Sequence, residues 1–482
     1  MDSLVEKLSG LWPRSGLLAS PFARALLARV ALLAVVAPAL AWSRSPIEAF
    51  AVVALAAVCI VVGDRYLART RPRMRERTRD GLVVSLLVAG GVHLTWLHSL
   101  LAPSVSPFVL PLPVAAMVAT MLVGPPAGMF VAAASVGAGV LQGVLAGPAV
   151  FAALLTDVAA IASMSSLKDR ARLVTGTSTV IAVMAVAAAA SAALSGEQVN
   201  RVVSEMGLGA VGGVVTVVAA LGLLAVFEAL FGVTSDVRLL ELANPSAPLM
   251  RRLMLEAPGT YTHAILTGNL AEAAAQAIGA DPLLARVGAY YHDVGKLVRP
   301  AFFVENQTGC ANPHANTSPS LSALIITAHV HEGAALAEQH HLPPEVVDII
   351  RQHHGTSVVA YFYQKAAASG DPVVEADFRY SGELPSSREA AIVMLADAAE
   401  AAVRAMTKPT PPRIEECVRR VVESKLADHQ LDRADLTFAD MERIVEVYTR
   451  MLSGLYHPRI EYPSMMHERG CHAGTRDEPS RS

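Results

Sequence analysis

The stretch DPLLARVGAYYHDVGK, Asp281–Lys296, decides how the C-terminal half of this chain folds. Asp281 before Pro282 reads as an N-cap followed by a proline at the first helical position, where a missing N–H costs nothing. The spacing predicts a helix running through Tyr290 to Asp293, with Gly295 placed to end it. The stretch closes on an imidazole, a carboxylate and an ammonium: His292, Asp293 and Lys296.

The flanking sequence carries the same helical punctuation. His263 opens a helix whose inner face includes Leu266 and Leu270. Ser318-Pro319 begins another, with His329 at its middle. Pro343-Pro344 starts a third, which Gly355 closes directly after His353-His354. Ser387 precedes a fourth, which carries Asp397 and stops at Lys408-Pro409. Two amphipathic helices follow near 412–427 and 435–455. No alternating strand pattern emerges from Val237 onward, so the domain reads as all-α. The proline- and asparagine-rich loop from Pro300 to Pro319 is long enough to be functional.

Upstream the composition changes. Residues 21 to about 232 are dominated by Ala, Val, Leu and Gly, and spanning a bilayer takes roughly 20 such residues per helix. Candidate spans lie near 22–42, 47–63, 82–101, 108–123, 127–145, 148–165, 173–195 and 207–232, giving seven or eight. The first, Ala25 to Trp42, is too long for a signal-peptide core, and apolar runs keep following it. Basic residues test the count through the positive-inside rule. With eight spans, Lys7, Arg14 and Arg24 fall on one side. The run of Arg65, Arg69, Arg71, Arg73, Arg75, Arg77 and Arg79 joins them, as do Lys168, Arg170 and Arg172. The C-terminal domain lies on that same side, which is therefore the cytoplasm. A net charge of -3 argues against a nucleic-acid surface. Four scattered cysteines (Cys59, Cys310, Cys417, Cys471) form no metal or disulfide spacing. The expected division is a cytoplasmic N-terminus (1–20), a transmembrane helical domain (21–232) and a linker (233–256). A catalytic-type helical domain (257–462) and a disordered tail (463–482) complete it.

Taken singly, each polar residue on an inner face has a bland reading. A lone inward histidine such as His329 is more often a hydrogen-bonded core residue than a ligand. Asp397 shares a face with Val393, Met394 and Ala401, and needs a partner if buried. Together, His263, His292, Asp293, His329, His353, His354 and Asp397 offset one another's burial only by sharing something cationic. Imidazole with carboxylate suits Fe, Mn or Zn rather than Mg or Ca, and a carboxylate can bridge two ions.

Ala289–Lys296 resembles the His-Asp-x-Gly-Lys signature of HD-domain phosphohydrolases. Glu256–His263, Phe303–Gln307, Asn312–His314, Pro319–Ala323 and Arg351–Ser357 extend the likeness to the seven-transmembrane HD family. These are membrane-bound phosphodiesterases that hydrolyse cyclic di-AMP to pApA. The likeness covers nearly all of 237–455, and the membrane half agrees in architecture. It implies a cytoplasmic all-helical HD domain behind the bundle, at the bacterial inner membrane. It also implies two divalent transition-metal ions, Fe or Mn, with a bridging hydroxide as nucleophile. His263, His292, Asp293 and Asp397 would hold one metal; Asp293, His329, His353 and His354 the other, with Asp293 as the bridge. Asp293 and Lys296 are the catalytic candidates. Lys296 would also contact a phosphate oxygen, and Asn306, His314 and Thr356 are further substrate-binding candidates. Expected partners are a cyclic dinucleotide and the lipid bilayer, with no nucleic acid; the surfaces permit a homodimer.

The chain departs from the family pattern twice. Only Ser43 to Pro46 occupies the place of a large extracytoplasmic domain, and the loop at Asn312–Pro319 lacks an acidic residue after its histidine. A cyclic di-GMP enzyme of the HD-GYP class would show Gly-Tyr-Pro after its paired histidines, where this chain reads Gly355–Tyr363 without it. A deoxynucleotide triphosphohydrolase leaves the histidine pair and the membrane half without a role. A membrane receptor whose HD domain only binds nucleotide would have lost ligands, and here all seven are present.

Overall fold

The computed structural model describes residues 21–70, 78–165, 170–307, 312–368 and 373–456. The expected N-terminus (1–20), the tail (463–482) and the loop arginines Arg71, Arg73, Arg75 and Arg77 lie outside the described residues, as do Lys7, Arg14 and Lys168. What is described is helical, apart from one antiparallel bridge between Val358 and Arg379.

The apolar half holds α1 (Pro21–Ala41), α2 (Pro46–Thr70), α3 (Thr78–Leu101), α4 (Val114–Leu122), α5 (Pro125–Leu141), α6 (Pro148–Met164), α7 (Arg170–Leu194) and α8 (Val199–Phe231). Four segments (Pro46–Thr70, Asp80–Leu101, Val174–Leu194 and Val199–Phe231) are long and apolar enough to cross a membrane by length and composition. Four shorter ones complete the eight: Leu27–Ala41, Pro107–Leu122, Pro125–Leu141 and Pro148–Met164. The fourth expected span, 108–123, is not one continuous helix. It is a 3-10 turn (Pro107–Val109) followed by the nine-residue helix α4. A helix of that length rises only about 14 Å, about half of a hydrocarbon core. All nine residues of α4 are buried, so its exposed backbone ends sit inside protein rather than lipid, the one place where broken helices are tolerated. The α7–α8 pair packs closest where Gly209 lies; a Cβ there would come within 2.5 Å of the Met184 carbonyl. Small residues permit this backbone approach in a bundle that has no hydrophobic driving force of its own.

Gly232, in the left-handed conformation at φ 60°, ends α8. Residues 233–256, expected as a linker, contain two helices, α9 (Asp236–Leu242) and α10 (Pro248–Glu256). The prolines and asparagine between them break the apolar period without removing the helices. Leu239, Leu242, Leu249 and Leu253 are buried with Val287 and Tyr291, so both helices are part of the C-terminal domain's core. The Tyr291 hydroxyl donates to the Leu242 carbonyl at 2.9 Å.

The rest of that domain comprises α11 (Pro258–Ile278), α12 (Pro282–Tyr291), α13 (Pro319–Gln339), α14 (Pro344–Gln352) and α15 (Ala360–Ala367). It ends with α16 (Arg388–Arg404), α17 (Pro411–Ala427) and α18 (Phe438–Leu455). The expected caps form: Asp281 accepts from the amides of Leu283 and Leu284, Ser318 from Leu321 and Ser387 from Ala390. At the centre is α16, with Ala390 to Ala396 fully buried among α11, α12, α17 and α18. Burying such a helix on all sides removes enough apolar surface to fix the depth of Asp397, the next residue along.

Candidate metal centre

Every expected ligand sits at a helix end or on a helix face aimed at one interior point. The helix α12 stops at Tyr291, earlier than expected. His292 is its C-cap, and Asp293 leads into a 3-10 turn, Val294–Val298. Gly295 does not end the helix. Its role is contact: a Cβ there would stand 1.9 Å from the His329 carbonyl oxygen. The 3-10 turn therefore lies directly against α13, which brings Asp293 to His329.

The seven side chains meet. Asp293 is 1% exposed, with Oδ1 3.3 Å from His329 Nε2 and 3.9 Å from His353 Nε2. Its Oδ2 faces the other way, 3.2 Å from His292 Nε2 and 3.7 Å from His263 Nε2. Asp397 Oδ1 lies 3.0 Å from His263 Nε2 and 3.8 Å from His292 Nε2, and its Oδ2 lies 3.7 Å from His354 Nδ1. Two triads, His263–His292–Asp397 and His329–His353–His354, each gather their ligand atoms within 4.8 Å. Asp293 stands between them with one oxygen toward each.

The rings are held in one tautomer. His292, His329 and His353 each donate Nδ1–H to a carbonyl three residues back, of Ala289, Ile326 and Ile350, at 2.6, 2.6 and 2.7 Å. His263 directs Nδ1 at Glu400 Oε2, 2.6 Å away. All four therefore aim Nε2 at the centre, the atom that a metal-binding imidazole offers. His354 is the least buried of the five and stacks on Tyr380, ring centroids 4.2 Å apart.

Electrostatics in the protein alone are strained. Burial opposes charge on Asp293, but the His292 and Lys296 charges beside it outweigh that and hold its carboxyl well below the usual range. Burial likewise opposes charge on Asp397, and the hydrogen bonds from His263 and His292 override it. His292 resists charge by burial yet is pushed up to about 10 by Asp293 and Asp397. His353 goes the other way, to about 3, through burial and then the neighbouring His292 and His329 charges. Neither oxygen of Asp293, nor His292 Nε2, finds a well-aligned hydrogen bond despite full burial. Such orphaned atoms are expensive unless something cationic joins them, and the donor set of five imidazoles and two carboxylates fits two divalent transition-metal ions.

Lys296 extends Nζ to 2.7 Å from Asp293 Oδ2 and 2.8 Å from Glu305 Oε1, 5.0 Å from the Phe303 ring centroid. Burial lowers its basicity, but the two carboxylates raise it further and keep it charged. Asn306 is occupied by the chain itself: Oδ1 accepts from the Thr260 amide and Nδ2 donates to Thr260 Oγ1. His314 donates through Nε2–H to the Phe302 carbonyl, 2.9 Å away, and packs between Phe302 and Phe362. Thr356 bonds Gln430 through both its amide and hydroxyl. These three positions have internal partners. Glu400, Glu305, Tyr380 and Gln430 are functional candidates that the sequence reading missed. Glu400 follows Asp397 by three residues on one helix face, a spacing that could have exposed it.

The sequence matches the family described as "7TM receptor with intracellular HD hydrolase" over residues 46–235, and the HD domain over 260–402. Between them these segments contain the bundle from α2 onward and all seven metal-facing residues. In both segments the chain is similar to the seven-transmembrane HD family. It is a membrane protein with an additional apolar helix, α1, ahead of the matched segment. It is 46% identical over 284 residues to the cyclic-di-AMP phosphodiesterase PgpH of Bacillus subtilis, and 42% identical over 258 residues to PgpH of Listeria monocytogenes. Those alignments cover 59% and 54% of this chain but only 40% and 36% of the two relatives. A crystal structure of the Listeria PgpH HD domain in complex with cyclic-di-AMP is 43% identical, covers 44% of this chain and 100% of that one, and has a TM-score of 0.43.

Proposed function

We propose that this chain is a membrane-bound, metal-dependent phosphodiesterase that hydrolyses cyclic di-AMP to pApA. The observation that carries the reading is Asp293, buried between two histidine-containing triads with one oxygen toward each. Two divalent ions held there, Fe or Mn by donor type, would supply an activated water and neutralise charge on a phosphodiester. His263, His292 and Asp397 would hold one and His329, His353 and His354 the other, both sharing Asp293. Glu400 keeps His263 oriented, and the three backbone carbonyls fix the tautomers of His292, His329 and His353. Lys296 supplies a point charge at the rim toward a phosphate oxygen. The names of the relatives favour cyclic di-AMP among cyclic dinucleotides.

The HD domain begins in this reading at α9, because α9 and α10 share its core, and it faces the cytoplasm of a bacterial inner membrane. The basic loops on the same side of an eight-helix count support that orientation. Asn306, His314 and Thr356 shape the substrate cleft through the loops they pin. The test is the purified full chain, loaded with Mn(II) or Fe(II), given cyclic di-AMP and cyclic di-GMP separately. Formation of pApA supports the proposal. Activity on cyclic di-GMP alone, or retention of metal without turnover of either, overturns it in favour of another substrate or a nucleotide-binding receptor.

A further inference from the structure

We propose that the membrane bundle carries a binding site for a small ammonium-bearing molecule at the end remote from the HD domain. A cavity of about 210 Å³ opens there between the segment at Ser104–Phe108, the start of α6, the end of α7 and the start of α8. Its position follows from α8: Glu205 lines the cavity near the start of this helix, and the HD domain follows from its other end at Phe231. The 26 residues between them rise about 40 Å, more than a hydrocarbon core. The cavity and the metal centre therefore lie on opposite sides of the membrane.

The lining is out of character for this bundle. Most of α7 and α8 is Ala, Val, Leu and Gly, yet the cavity gathers Ser106, Ser191, Ser195, Glu197, Arg201 and Glu205. Glu205 is only 7% exposed, and an ionisable group inside a bundle is costly enough to mark a functional position. Arg201 Nη2 reaches its Oε1 at 3.3 Å, but Arg201 itself is about half exposed. Ser191 is 7% exposed, and its hydroxyl has no hydrogen-bond partner among the described residues. The hydroxyl of a nine-tenths-buried serine and the carboxylate of a nine-tenths-buried glutamate, both lining one cavity, are acceptors prepared for a donor.

Charge selects the donor. Two carboxylates, Glu197 and Glu205, face one guanidinium, so the cavity carries a net negative charge and favours a cation. A protonated amine matches a carboxylate and a serine hydroxyl, since it donates three hydrogen bonds and accepts none. Phe108, Ala188 and Ala192 supply an apolar wall for a short carbon chain. The volume limits the ligand to one the size of an amino acid or a simple amine, and Arg201 can take the carboxylate of the former. The same ammonium can come from solution or from an aminophospholipid headgroup at this membrane face.

The experiment uses the full chain in nanodiscs of phosphatidylglycerol, which has no amine. Ethanolamine, putrescine, L-alanine and L-lysine are titrated by calorimetry and thermal shift, with acetate as the amine-free control. A second preparation contains phosphatidylethanolamine. The expected result is saturable binding of at least one soluble amine, or stabilisation on adding phosphatidylethanolamine, the two arms separating the sources. Glu205→Gln weakens that binding about tenfold or more, the scale of a charged hydrogen bond. Should Glu205→Gln fail to fold, Ser191→Val fills the cavity while leaving the Arg201–Glu205 pair, and must weaken binding too. The proposal is overturned if no amine binds at about 10 mM and phosphatidylethanolamine has no effect. It is equally overturned if acetate binds as well as the amines, or if binding is unchanged in the folded variants.

Discussion

Replacing Gly295 by Ala tests how the ligand geometry is set. The added Cβ would fall 1.9 Å from the His329 carbonyl oxygen, 2.5 Å from the Gly333 amide nitrogen and 2.8 Å from the His329 carbonyl carbon. All three obstacles are main chain of α13, so no side chain can swing aside. Relief to the 3.0 Å floor for such contacts requires α13 and the 3-10 turn to part by about 1.1 Å. His329 moves with α13, and its Nε2 now lies 3.3 Å from Asp293 Oδ1 and 3.2 Å from His353 Nε2. Metal–nitrogen distances tolerate only about 0.2 Å, so the site shared by His329, His353 and His354 should empty while that of His263, His292 and Asp397 persists. The overpacking itself costs about 1–3 kcal/mol, which a folded domain survives. The assay is metal content per chain by mass spectrometry, with turnover and circular dichroism in parallel. The expectation is a fall from about two ions to about one and a loss of turnover of about 10²-fold, with helicity intact. A variant holding both ions and turning over at the parent rate refutes the packing argument.

Glu400→Ala should weaken metal binding about 10–100-fold, because His263 loses the acceptor that orients it; Glu400→Gln should recover part of this. Competition titration with a chelating dye measures both, and wild-type affinity in Glu400→Ala would contradict the positioning role. Lys296→Met leaves Asp293 and Glu305 without their shared cation. Metal-free protein should lose about 3–5 kcal/mol, and Mn(II) should restore much of it. An unchanged melting temperature without metal would count against that pairing. Asp236 is pushed up to about 6, by burial and then by Asp281, so the native state holds a proton that the unfolded chain releases at lower pH. The penalty this imposes is absent at acid pH and grows as pH rises through about 4 to 6. Asp236→Asn should therefore stabilise the protein by about 1 kcal/mol more at pH 8 than at pH 5. Equal melting shifts at the two pH values would exclude the effect.

The ligand set was legible because each member marks a helix end or an inward face that proline, serine and glycine punctuate. His292 and His353 sit at C-caps, His329 and Asp397 at mid-helix. The partners of those ligands were harder to read. Glu305 lies in a loop of short 3-10 turns with no period to follow, and Tyr380 reaches His354 only because the bridge to Val358 returns the chain to it. The helices α9 and α10 are seven and nine residues long, too short for apolar periodicity to outweigh the proline and asparagine between them. Hydropathy also cannot show that the fourth apolar segment is broken into a 3-10 turn and the short helix α4. Gly295 shows a further limit: its position suggested a helix stop, while its function is an approach between two backbones distant in sequence.

The central claim is that seven buried side chains exist to hold two ions around Asp293. The most direct test is metal analysis of the full chain purified without oxygen, beside Asp293→Ala prepared identically. The account predicts about two Fe or Mn ions per parent chain and loss of both in Asp293→Ala, with cyclic di-AMP hydrolysis disappearing alongside. A parent chain that retains no transition metal under these conditions, or an Asp293→Ala variant that keeps both ions, would contradict it.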